Sequence, residues 1–164
     1  AKAVHALDAE RRAGALPAEA AAVYAALQKL GYTPDAANTN IGSAIFANKP
    51  GDGSAREQAA SCQRVLGGAA NFACEYATKR YRSNCINWGM LPFVTDTPGV
   101  LAKGDYVFLP GVRKALLTAA EQLPAVAVKP DGRLVPFAVR LGAMTDAERQ
   151  ILADGCLINY YKTH

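Results

Sequence analysis

Three observations predict an α/β fold for this chain. Helical and strand-like segments alternate along it, a hairpin signal comes late, and 51% hydrophobic with 20% charged residues is a globular composition. At 164 residues the chain can fill one core and is too short for two ordinary domains. The hairpin is the clearest of these signals, because "PAVAVKPDGRLVPFAVRLG" sets two β-rich runs around Pro130-Asp131-Gly132.

The elements follow in order. Residues 2–13, rich in Ala, Arg and Glu, predict a helix whose Arg11 and Arg12 face solvent. A second helix opens at Pro17, carries Ala20, Val23, Leu27 and Leu30 at helical spacing, and closes at Gly31. "TPDAANTN" is a loop, and "IGSAIFA" (41–47) predicts a strand with Ile45 and Phe46 buried, although Gly42 weakens it. "REQAASCQRVLGG" predicts a helix with Ala59, Cys62, Val65 and Leu66 on its apolar face and Gly67-Gly68 as its stop. "AANFACEY" is a weak strand, "TKRYRSNCINW" a short helix ending before Gly89, and "MLPFV" the strand that leaves it. "DYVFLP" is a strand, and "GVRKALLTAAEQL" carries Val112, Leu116, Ala120 and Leu123 at helical spacing. After the hairpin, "TDAERQILADG" begins with Thr145 and Glu148 in capping-box spacing and ends at Gly155. No internal repeat is present, and the Pro/Gly-rich stretch 92–111 is the one hinge candidate.

Charge and composition narrow the classes of function. The net charge of +4, from 18 basic and 14 acidic side chains, favours anionic partners but falls far below a dedicated nucleic-acid binder. No apolar run approaches the roughly 20 residues of a membrane helix. The scattered charges of "AKAVHALDAERR" do not make a secretory signal. Because no Met begins the chain, it is expected to be processed, trimmed or part of something longer. Cys62, Cys74, Cys85 and Cys156 form no C-x-x-C pair, so reduced cysteines in a cytoplasmic compartment are expected, without metal ligation by these four. His5 and His164 lie at opposite ends of the sequence, which gives a histidine acid–base mechanism little support.

The stretch "KPGDGSAREQAA" (49–60) is where chemistry is most concentrated. A nucleophile elbow would need glycine where Asp52 stands, a dinucleotide fingerprint meets Arg56 at its third glycine, and the P-loop lacks its G-K-S/T. Two readings stay open. Ser54 and Glu57 have capping-box spacing, with the Ser hydroxyl accepting from the Glu57 amide. Alternatively, two glycines, a helix N-terminus and the guanidinium fork of Arg56 build a place for an anion. A hydroxyl in that field has its deprotonated form stabilised, as a base requires.

"GDGSAREQAA" resembles the G-x-G-S-S-R-E-H-A-A signature of the C-terminal, or swivel, domain of the aconitase and isopropylmalate dehydratase family. "KRYRSNCINWGMLPF" (79–93) resembles that domain's phrase R-I-x-R-S-N-L-x-x-x-G-x-L-P-L, and "TDAERQILADGCLINYY" resembles its closing helix, glycine and L-N tail. The resemblance runs from about residue 40 to the end. It implies a three-layer β/β/α swivel domain over 35–164, preceded by a helical extension or linker over 1–34.

The implied function is that of a hydro-lyase interconverting hydroxy di- or tricarboxylates and their dehydrated forms with a four-iron–four-sulfur cluster. Carried over, Ser54 is the catalytic base and Arg56 grips a substrate carboxylate, with Gly53 and Ala55 beside them on the substrate. Ala55 stands where the family usually has a second serine, and Gln58 where it has histidine. The cluster is implied to sit on other domains of the same protein or on a large subunit, so the isolated chain is expected to be inactive. Its four cysteines are then expected to be core residues. A cytoplasmic or mitochondrial-matrix location goes with this reading. The alternatives are the small subunit of an isopropylmalate-type dehydratase, an inactive lid whose serine serves only as a cap, and an RNA-binding relative using Lys79, Arg80, Tyr81 and Arg82.

Overall fold

A computed structural model describes residues 2–164; Ala1, with which the predicted extension begins, lies outside the described residues. The described residues are mixed α/β, with seven α-helices around one open six-stranded sheet. In chain order the elements are α1 (Lys2–Arg12), α2 (Ala18–Gln28), β1 (Ser43–Ala47), α3 (Arg56–Val65), β2 (Gly68–Ala73), α4 (Lys79–Asn87) and β3 (Leu91–Val94). A 3-10 turn (Pro98–Val100) follows, then β4 (Tyr106–Phe108), α5 (Val112–Leu117), β5 (Gln122–Val128), β6 (Leu134–Arg140), α6 (Asp146–Ala153) and α7 (Leu157–Thr163).

The sheet runs β1-β2-β3-β6-β5-β4 and has two unlike halves. β1, β2 and β3 are parallel, with α3 and α4 as the connections between them, whereas β6, β5 and β4 are antiparallel. The halves meet at a single pair, Val94 with Arg140. The hairpin forms where the sequence places it, with Val128 opposite Leu134 and Gly132 at φ 83° in the turn.

Strand alternation divides β5 between two apolar clusters. Leu123 and Ala125 pack with Phe72, Phe93, Ile86, Leu116, Val139 and the α6 residues Ile151 and Leu152. Val126 and Val128 meet Ala26 and Leu27 of α2, bordered by Tyr32, Phe108 and Leu134. Full burial of a side chain such as Leu27 contributes about 1.5–3 kcal/mol. The rings of Phe72 and Phe93 stack at 5.4 Å across the β2–β3 pair.

Several expectations are corrected. Ile45 and Phe46 are 42% and 40% exposed, because β1 is the sheet's last strand and pairs only with β2. On α3 the buried residue is Ala60, while Cys62, Val65 and Leu66 are exposed. The face turned inward runs through Arg56, Ala60 and Gln63, because β2 offers it the polar side chain of Asn71. The helix expected over 111–123 stops at Leu117, with Ala119 at φ 53°, so Leu123 becomes a core strand residue. Arg11 is largely covered, bonded to Asp8 and to the Ala36 carbonyl, while Arg12 is exposed. Of the four free cysteines only Cys85 is buried. After α6 the chain turns at Gly155 into α7, a helix that no periodicity announced.

Candidate functional site

The loop from Asn48 to Ala55 leaves the end of β1 and is stitched to the segment that follows β2. The Asn48 carbonyl accepts from the amides of Cys74 and Glu75, each at 3.1 Å, and the Pro50 carbonyl from the amide of Ala77 at 2.9 Å. Gly51 follows at φ 94°, against the ring of Tyr81, where a Cβ would stand 2.5–2.6 Å from ring and Cβ atoms. Only glycine fits there, on conformation and on space.

The Gly51 carbonyl is held from two sides. Arg56 Nε donates to it at 3.2 Å and Thr78 Oγ1 at 3.1 Å. Thr78 Oγ1 also accepts from the Tyr81 amide at 3.2 Å, as the N-cap of α4. One hydroxyl thus closes the start of α4 and grips the loop.

Gly53, Ser54, Ala55 and Arg56 come together on one open concavity of about 450 Å³, bordered also by Gly51, Ala59 and Tyr81. The expected capping box is absent. The N-cap of α3 is Ala55 and makes no side-chain cap, and Ser54 is exposed with no hydrogen-bond partner among the described residues. Glu57 does not reach back to Ser54; its Oε1 accepts instead from Trp88 Nε1 at 2.9 Å. Neither terminal nitrogen of Arg56 has a protein partner among the described residues. The first-turn amides of α3 point outward at the end of the helix where its dipole is positive.

Beneath the loop lies a buried polar group that the sequence did not disclose. Asn71 Nδ2 donates to Tyr81 Oη at 3.1 Å and to Cys85 Sγ at 3.4 Å, while Asn71 Oδ1 accepts from Gln63 Nε2. Burial, with the Cys85 thiol beside it, pushes the Tyr81 phenol up to about 12. Burial likewise pushes the Cys85 thiol up to about 11. Both are neutral supports near neutral pH, and Tyr76, raised further by burial, donates to the Phe93 carbonyl at 3.2 Å. With Tyr81 only 4% exposed, its ring cannot serve as a stacking platform. Arg82 is committed too, donating to the carbonyls of Leu141 and Ala143 at 2.8 and 2.9 Å.

Sequence reasoning missed Thr78, Asn71 and Trp88. Thr78, just before "KRYRSNC", carried a readable N-cap signal; Asn71, in a run of small residues, carried none. Among the described residues no group of three His, Cys, Asp or Glu side chains converges as metal ligands. The cysteines stand apart, Cys62 exposed on α3 and Cys85 on the buried face of α4, and do not fit an iron–sulfur cage. No helix among the described residues is long and apolar enough to cross a membrane. No model of a known protein family matches the chain, and no curated protein sequence matches it.

Proposed function

We propose that this chain is the swivel-type part of an iron–sulfur hydro-lyase of the aconitase family, acting on hydroxy di- or tricarboxylates. The observation that carries the reading is the concavity that Ser54 and Arg56 both line, with Ser54 exposed and Arg56 bonded to protein only through Nε among the described residues. Pinned through Nε, Arg56 presents two terminal nitrogens side by side, the pair a carboxylate accepts in a forked hydrogen bond. The start of α3 favours negative charge at the same place.

In this reading Ser54, as the alkoxide, removes the proton on the carbon next to the bound carboxylate. The C–H bond breaks, its electron pair stays on the substrate, and the proton ends on Ser54 Oγ. Gly53 and Ala55 line the same concavity and are the further substrate contacts. This chain supplies the base and the carboxylate grip, and its own residues do not fit the cluster. The cluster belongs to other domains of the same protein or to a large subunit.

On the same proposal, residues 35–164 are a three-layer β/β/α swivel domain and 1–34 its helical extension or linker. What supports it is the mixed α/β architecture, with a parallel and an antiparallel half in one sheet. Two rivals lose ground. A lid that keeps its serine only as a helix cap is disfavoured by Ser54 capping nothing, and an RNA platform by the burial of Tyr81.

The test is Ser54→Ala in the complete, cluster-loaded protein. Turnover is expected to fall about 10²–10⁴-fold, as on loss of a positioned base, with substrate affinity mostly kept. Unchanged turnover overturns the assignment.

A further inference from the structure

We infer that Thr78 is a positioning residue for Arg56, acting through the carbonyl of Gly51; the inference rests on the reading of Arg56 as the carboxylate-binding group. An arginine recognises a carboxylate well only when its fork is already aimed, since otherwise the ligand must order a long side chain. Arg56 has one restraint near its end, the Nε bond to Gly51 O at 3.2 Å. That carbonyl is a useful anchor only if it stays where it is, in a left-handed glycine on an exposed loop. Thr78 Oγ1 supplies the second bond that holds it, at 3.1 Å, from the fixed start of α4. The Tyr81 ring, itself anchored by Asn71, blocks the loop from settling inward.

The Thr78 hydroxyl both accepts, from the Tyr81 amide, and donates, to Gly51 O. Chemistry can separate these roles. Serine keeps both. Valine loses both. Aspartate keeps the acceptor that caps a helix, and caps well, but has no proton to give the carbonyl.

The experiment uses the full 164-residue chain with tricarballylate as the probe, and NMR of the arginine Nε–H groups as a second readout. In the unaltered protein and in Thr78→Ser, the Arg56 Nε–H exchanges slowly with solvent. In Thr78→Asp the thermal midpoint is retained, while that proton exchanges rapidly and tricarballylate binds roughly three- to tenfold more weakly, the scale of one lost hydrogen bond. Thr78→Val shows the same two losses together with a lower thermal midpoint. If Thr78→Asp leaves the Arg56 Nε–H as protected as in the unaltered chain, the positioning role is wrong. If the unaltered chain does not bind tricarballylate, the carboxylate reading of Arg56 fails, and the exchange data still decide whether Thr78 aims it.

Discussion

Trp88 Nε1 donates to Glu57 Oε1 at 2.9 Å, tying the end of α4 to the first turn of α3. Thr78 grips the Gly51 loop from the opposite end of α4, so one helix braces the site at two points. Trp88 is the chain's one tryptophan. Its emission should therefore report on the start of α3, with tricarballylate changing the fluorescence of the unaltered chain and not that of Arg56→Ala. Trp88→Phe removes the donor and keeps an aromatic ring. It should lower stability by about 1 kcal/mol, the usual scale of one hydrogen bond, measured by urea unfolding. Glu57→Gln keeps a carbonyl acceptor and should cost less; equal losses would show that the ion, rather than the hydrogen bond, matters.

Gly51→Ala tests the floor of the loop. The substitution meets a left-handed φ of 94° and atoms of Tyr81 within 2.6 Å. Each fault alone is worth about 1–3 kcal/mol. The loop sits at the surface and can shift, so the combined loss is expected at about 2–3 kcal/mol rather than as failure to fold. Tricarballylate binding should fall with it, because the carbonyl that anchors Arg56 moves. Gly53→Ala, at a residue with open space around it, serves as the control and should leave stability nearly unchanged.

The contrast between two identical spacings shows where the sequence was legible. Thr145 and Glu148 form the capping box that their spacing predicts, both bonds present. Ser54 and Glu57 share the spacing and form none, because Trp88, 31 residues on, takes the carboxylate. Local pattern names the candidates, and tertiary partners choose among them. The same limit explains Ile45 and Phe46, since an apolar run does not reveal whether its strand lies at the centre or the edge of a sheet. The hairpin and most helix stops needed only local chemistry, Gly31, Gly67, Gly89 and Gly155 all adopting positive φ. For the candidate site, the motif drew attention to the loop 48–55, but the supports of that loop are polar groups contributed by β2 and α4, which no apolar periodicity marks.

The buried polar group under the loop gives the protein an alkaline weakness. Burial raises the Cys85 thiol from its ordinary 9.0 to about 11, and the Tyr81 phenol from 10.0 to about 12. Both groups are neutral when protonated, so folding favours the protonated form. The stability this confers is complete below the unfolded values near pH 9 and 10, and is lost as pH rises through the folded values. The thermal midpoint should therefore hold from pH 7 to 9 and fall from pH 9 to 11, as the thiol and then the phenol ionise in the unfolded chain while the folded chain keeps them protonated. Cys85→Ala removes the lower-titrating group. It should cost about 1–2 kcal/mol at pH 7 through lost packing, yet flatten the decline between pH 9 and 11. A decline equally steep in that variant would place the alkaline sensitivity elsewhere in the chain and detach Cys85 from the support of the site.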